Sequence, residues 1–114
     1  MKNLKLFIIA ALTTILSFGS LTALADDAVW IDVRTQEEWN ADHIEGIPLM
    51  PHSTIANDIA RLNLDKDAPI KLYCRSGNRA GIAKKTLEDL GYTNIENVGS
   101  IGDARKVRAE TSEN

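Results

Sequence analysis

The sequence predicts an α/β fold, a small parallel sheet of about four strands with helices packed on both faces. Three observations lead there. The composition, 44% hydrophobic and 25% charged over 114 residues, is that of an ordinary globular chain with room for one domain, or a small domain plus a targeting segment. Short β-branched runs alternate with segments whose apolar residues recur at helical spacing. Strands that alternate with helices pair in parallel, and sites in such sheets lie beyond the carboxyl ends of the strands.

Val29-Trp30-Ile31-Asp32-Val33 is the first strand. Thr35, followed three residues later by Glu38, forms a capping box that opens a helix running to about Ala41. Gly46 to Met50 is a short apolar stretch punctuated by Pro48 and Pro51, so it is expected at most as an edge strand. Ser53 is expected to cap a second helix with Ile55, Ile59 and Leu62 on one face. Asn63 to Pro69 is polar and reads as a loop. Ile70-Lys71-Leu72-Tyr73 is the next strand, and a third helix, beginning near Ala80, buries Ala83, Leu87 and Leu90 before Gly91 closes it. Ile95 to Val98 makes the last strand. From Gly102 the chain turns polar, and residues 105–114 are expected as a tail, a solvated helix or a frayed terminus.

Residues 1–25 do not resemble part of a fold. Lys2 and Lys5 form a short basic region, Leu6 to Phe18 is apolar, and Ala23-Leu24-Ala25 offers the small residues that a signal peptidase reads. A cleaved signal peptide is the expectation. The competing reading is an uncleaved anchor, because Leu6 to Ala25 is uncharged over a length that can span a bilayer; threonine, serine and glycine dilute it. Cleavage before Asp26 leaves 89 residues with 11 Lys+Arg against 16 Asp+Glu, a formal charge of −5. That balance opposes a generic nucleic-acid binder, which needs a basic face for phosphates. Export would also place the single cysteine in an oxidising compartment with no partner in its own chain.

The chemistry concentrates in Cys74-Arg75-Ser76-Gly77-Asn78-Arg79, between a strand and a helix. A thiol at the first position of such a turn can face successive backbone N–H groups and the positive end of the helix, both of which favour the thiolate. Arg75 and Arg79 add positive charge to hold it and to draw in an anionic substrate. Gly77 permits the turn. The bland alternative is a buried, inert cysteine at a strand end.

These residues carry a resemblance. The chain resembles the rhodanese (sulfurtransferase) family, in particular its small exported single-domain members, over nearly the whole of residues 26–114, with the rhodanese-like domain expected at 26–104. The resemblance rests on Asp32-Val33-Arg34, on Glu38 followed by His43-Ile44-Glu45-Gly46 and Pro51-His52, on Leu72-Tyr73-Cys74-Arg75-Ser76-Gly77-Asn78-Arg79-Ala80, and on Gly91-Tyr92 and Val98-Gly99. It implies a three-layer fold and a periplasmic enzyme without cofactor. In that reading Cys74 takes sulfane sulfur from thiosulfate or a persulfide and passes it to cyanide or a thiol. It implies substrate binding by Arg75, Ser76, Gly77, Asn78 and Arg79, an ion pair of Asp32 with Arg34 as structural support, and membrane contact only through the uncleaved signal peptide.

The spacing separates this reading from a rival. Cysteine phosphatases and arsenate reductases of related shape place an arginine one position further on, where this chain has Ala80. His43 and His52 are the only histidines, with no carboxylate or cysteine at metal-ligand spacing, so a zinc site is not expected; His43 is expected to satisfy carbonyls at the end of the first helix. A second functional class stays open: a rhodanese-like module that binds anions or senses redox state at the loop without turnover.

Overall fold

The computed structural model describes residues 27–112. The expected signal peptide, 1–25, lies outside the described residues. Strands β1 (Val29–Asp32), β2 (Ile70–Cys74) and β3 (Ile95–Ser100) form one parallel sheet in the order β1-β2-β3. The central strand, β2, ends at the cysteine. Register sets Asp32 opposite Tyr73 on one side and Ser100 opposite Cys74 on the other.

The fourth strand is not formed. Residues 46–50 contribute a single bridge, Leu49 to Asp32. Asp32 N–H donates to the Pro48 carbonyl at 3.0 Å and Met50 N–H donates to the Asp32 carbonyl at 2.8 Å. Pro48 has no N–H to extend the ladder toward residue 46, and beyond Met50 the pairing departs from ladder geometry: His52 N–H donates to the Val33 carbonyl while Arg34 N–H turns to Asp32 Oδ1.

Among the described residues four helices surround the sheet. Helix α1 (Gln36–Ala41) starts at the Thr35–Glu38 capping box. Helix α2 (Ile55–Asp58) continues as a 3-10 turn through Leu62 and ends at Asn63, whose φ is 51°. Its N-cap is Thr54 rather than Ser53; the Thr54 hydroxyl donates to Asp58 Oδ2 at 2.8 Å instead of accepting from the first turn. Helix α3 (Asn78–Asp89) starts two residues earlier than expected, directly after Gly77. Helix α4 (Ile101–Ser112) runs through most of the stretch expected as a polar tail.

The period-two pattern of the strands sorts the core onto two faces. Ile31, Val33, Ile70, Leu72 and Cys74 face α2 and α3, meeting Ile55, Ile59, Ala80, Ala83 and Leu87. Trp30 and Tyr73 face the other way, against Ile47 and the Ala104 side of α4, with Ile101 and Val107 alongside. Full burial of Ala104 and partial burial of Ile101 and Val107 explain why α4 is part of the fold, since apolar surface removed from water stabilises by about 25 cal/mol per Å². Leu90 is not buried. It is the C-cap of α3, beyond the face that meets the sheet, and it is 42% exposed. Among the described residues no helix is long and apolar enough to cross a membrane.

Candidate active site

Cys74 is the last residue of the central strand, and its side chain is fully buried on the α2/α3 face. The chain then leaves the sheet through Arg75 and Ser76 and turns at Gly77 into α3. Gly77 has φ +98°, a left-handed conformation that only glycine adopts without strain. The turn brings the Gly77 N–H to 2.9 Å from the Cys74 Sγ and the Ala80 N–H to 3.4 Å. Two backbone donors from the start of a helix therefore converge on the sulfur, the arrangement that stabilises negative charge there.

A strut from β3 holds this turn. Asn97 Nδ2 donates to the Gly77 carbonyl at 2.9 Å, while Asn97 Oδ1 accepts from Gly99 N–H at 3.0 Å. A register shift in β3 makes this possible, because Leu72 pairs with Asn97 but Tyr73 pairs with Gly99. Asn97 did not emerge from the sequence. A polar residue inside a strand reads as a solvent-facing position unless the bulge beside it is known.

The six loop residues divide by environment. Arg75, Ser76 and Asn78 are exposed at the rim, and Asn78 belongs to the first turn of α3. Arg79 lies in that turn too, but its guanidinium reaches α1: Nη1 donates to Glu38 Oε1 at 2.6 Å and Nη2 to Oε2 at 2.9 Å. This bidentate pair holds the Glu38 carboxyl at about 2, with lesser help from Thr35 N–H and hydroxyl, and raises the Arg79 guanidinium still further above neutral pH. Glu38 thus serves both the capping box of α1 and the cysteine turn.

Asp32 and Arg34 form a second, buried pair beside the first. Asp32 Oδ1 accepts from Arg34 N–H at 2.9 Å and from Nε at 3.0 Å, and Oδ2 accepts from Nη2 at 2.9 Å and from the Tyr73 hydroxyl at 3.2 Å. Arg34 also donates to the Asp42 carbonyl at 2.6 Å, tying the end of α1 to β1. Burial, then the neighbouring Asp32 carboxylate, pushes the Tyr73 hydroxyl well above the usual phenol range, so it remains a donor. Every polar atom of this cluster that is shut off from solvent has a partner.

Residues 18–101 match the rhodanese-like domain family. The chain belongs to that family. Among its relatives is a protein named thiosulfate sulfurtransferase PspE from Escherichia coli K12, 38% identical over 74 residues, which cover 65% of this chain and 71% of that protein. A Pseudomonas entomophila protein named thiosulfate sulfurtransferase GlpE is 30% identical over 79 residues, covering 69% of this chain and 71% of the relative. Of solved structures, a rhodanese with anions from Escherichia coli superposes with TM-score 0.61 at 38% identity, covering 65% of this chain and 87% of its own. A human single-domain sulfurtransferase shares the fold, with TM-score 0.59 at 22% identity and coverage of 85% and 91%.

His43 of this rhodanese-like domain is engaged at the end of α1. His43 stacks on Trp39 with ring centroids 4.0 Å apart, and its Nδ1 lies 2.9 Å from the Trp39 carbonyl at the end of α1. Among the described residues no three histidine, cysteine or acidic side chains converge as metal ligands.

Proposed function

We propose that this rhodanese-like protein is a sulfurtransferase whose nucleophile is Cys74, using thiosulfate or a persulfide as donor and cyanide or a thiol as acceptor. The observation that carries the reading is the convergence of the Gly77 and Ala80 amides on Sγ at the end of the central strand. The names of its relatives supply the reaction class. The thiolate attacks the outer sulfur of thiosulfate; the S–S bond breaks and sulfite leaves with the electron pair. The new outer sulfur lies where amides of the turn stabilise negative charge as it develops. Cyanide or an acceptor thiolate then attacks that sulfur, giving thiocyanate or an acceptor persulfide and restoring the Cys74 thiolate. Each half is a displacement at sulfur without net oxidation.

Intact mass spectrometry after incubation with thiosulfate tests this. The expected result is a gain of about 32 Da, one sulfur atom, removable by cyanide or dithiothreitol and absent in Cys74→Ser. No adduct on the reduced, folded protein with thiosulfate or an alkyl persulfide would reject the covalent step.

The full burial of Cys74 favours the other class, in which the exposed Arg75 and the amides of the turn hold an anion without turnover. Under that reading Cys74→Ser retains anion affinity and no wild-type sulfur transfer is found. For location, we propose export to the periplasm after cleavage before Asp26, supported by the residue pattern of 1–25; N-terminal sequencing of the protein from a periplasmic fraction checks it.

A further inference from the structure

The cysteine turn carries two arginines, and their surroundings differ. Arg75 is exposed. Arg79 immediately precedes the residue whose amide reaches Sγ, and both arms of its fork are filled by Glu38. The two side chains are 24% and 23% exposed, so solvent screens the pair only in part. The carboxylate is itself fixed, because Thr35 N–H and Oγ1–H donate to Oε1 at 3.0 and 3.1 Å. The Nη1/Nη2 edge of this arginine is taken, and at longer range its charge is offset by its partner.

We propose that Glu38 sets the charge selectivity of the Cys74 site: by clamping Arg79 it leaves Arg75 to act alone among the loop cations, so the site prefers doubly charged thiosulfate over neutral or singly charged sulfane-sulfur donors less strongly than two free loop arginines would. Alkyl persulfides and thiosulfonates are donors of the less charged class. The naming of donors rests on the sulfur-transfer reading above; the charge effect does not. Glu38 acts through Arg79 and is a positioning residue.

The test exploits the scaling of Coulomb energy with substrate charge. Glu38→Gln preserves shape, and glutamine also serves at the third position of a capping box. The rates at which Cys74 reacts with iodoacetate and with neutral iodoacetamide, reagents of nearly equal size, are measured in parallel. Their ratio is expected to rise about threefold in Glu38→Gln, from one added positive charge near the surface. It should return to the wild-type value in Glu38→Gln/Arg79→Gln, where the offset is restored, and stay there in Glu38→Asp. With sulfur donors, KM is expected to fall about threefold for methanethiosulfonate and about tenfold for thiosulfate, because a double charge squares the factor. An unchanged reagent ratio in Glu38→Gln, or one that the double variant leaves raised, overturns the proposal. If wild-type protein forms no persulfide, the sulfur-transfer reading fails, while the alkylation ratio still decides the role of Glu38.

Discussion

The Cα of Gly99 lies 3.3 Å from where a side chain on Gly77 would begin, so β3 and the cysteine turn touch backbone to backbone. Gly77 also has φ +98°. Gly77→Ala therefore meets both backbone strain and a crowded neighbour, at a cost of about 1–3 kcal/mol. The turn is expected to shift, with the Gly77 amide leaving Sγ. Sulfur-transfer rate and thermal unfolding, measured together, should both fall; full activity at unchanged stability would show that the turn tolerates a Cβ.

Asn97 spans the same contact from the side. Asn97→Ala leaves the Gly77 carbonyl and the Gly99 N–H without this partner, and the site is exposed enough for water to replace it. The expected stability loss is about 1 kcal/mol. Activity should suffer more than stability, because the strut aligns the turn whose amides face the sulfur. A chemical-denaturation curve beside the single-turnover rate separates the two.

Asp32 carries the heaviest structural consequence. It is fully buried and accepts from Arg34 and from the Tyr73 hydroxyl. Asp32→Ala strands the Arg34 guanidinium in a site that is 5% exposed, which costs about 3–5 kcal/mol. Tyr73→Phe removes one neutral donor and should cost about 1 kcal/mol. Urea midpoints for both variants test the order; equal midpoints would contradict it.

The acid limb of stability should depend on Glu38. Its carboxyl is lowered from 4.5 to about 2 by the hydrogen bonds from Arg79. A depressed folded-state value means that the unfolded chain binds the proton first, so the contribution is fully present above pH 4.5 and is lost as pH falls toward 2. Partial exposure reduces it to about 1–2 kcal/mol. Glu38→Gln is expected to flatten the stability–pH curve over that window, and an identical acid limb in the variant would refute the assignment.

Short-range signals were readable in the residues alone. The alternation of Val29 to Val33 and Ile70 to Tyr73, the Thr35–Glu38 box and the Cys74-to-Arg79 turn each depend on neighbours within a few positions, and each is present in the structure. The edge strand of residues 46–50 shrank to one bridge because Pro48 lacks the donor on one side and Arg34 N–H turns to Asp32 on the other, and residues 105–112 joined a helix because Ala104 and Val107 find an apolar face on the sheet. Such outcomes depend on what lies opposite.

Tertiary structure alone decided the partners of the loop. Glu38 and Arg79 are 41 residues apart, and Gly77 and Asn97 are 20 apart. Whether Arg79 meets a carboxylate or a substrate depends on how α1 is set against the start of α3, and Asn97 reaches Gly77 only because β3 slips register beside Val98. Residue types and spacing singled out Cys74 as the candidate nucleophile, since a thiol at the end of a strand that turns through glycine into a helix can face backbone amides. The charge that surrounds that thiol was decided by packing, because Coulomb energy follows distance in space and not separation along the chain.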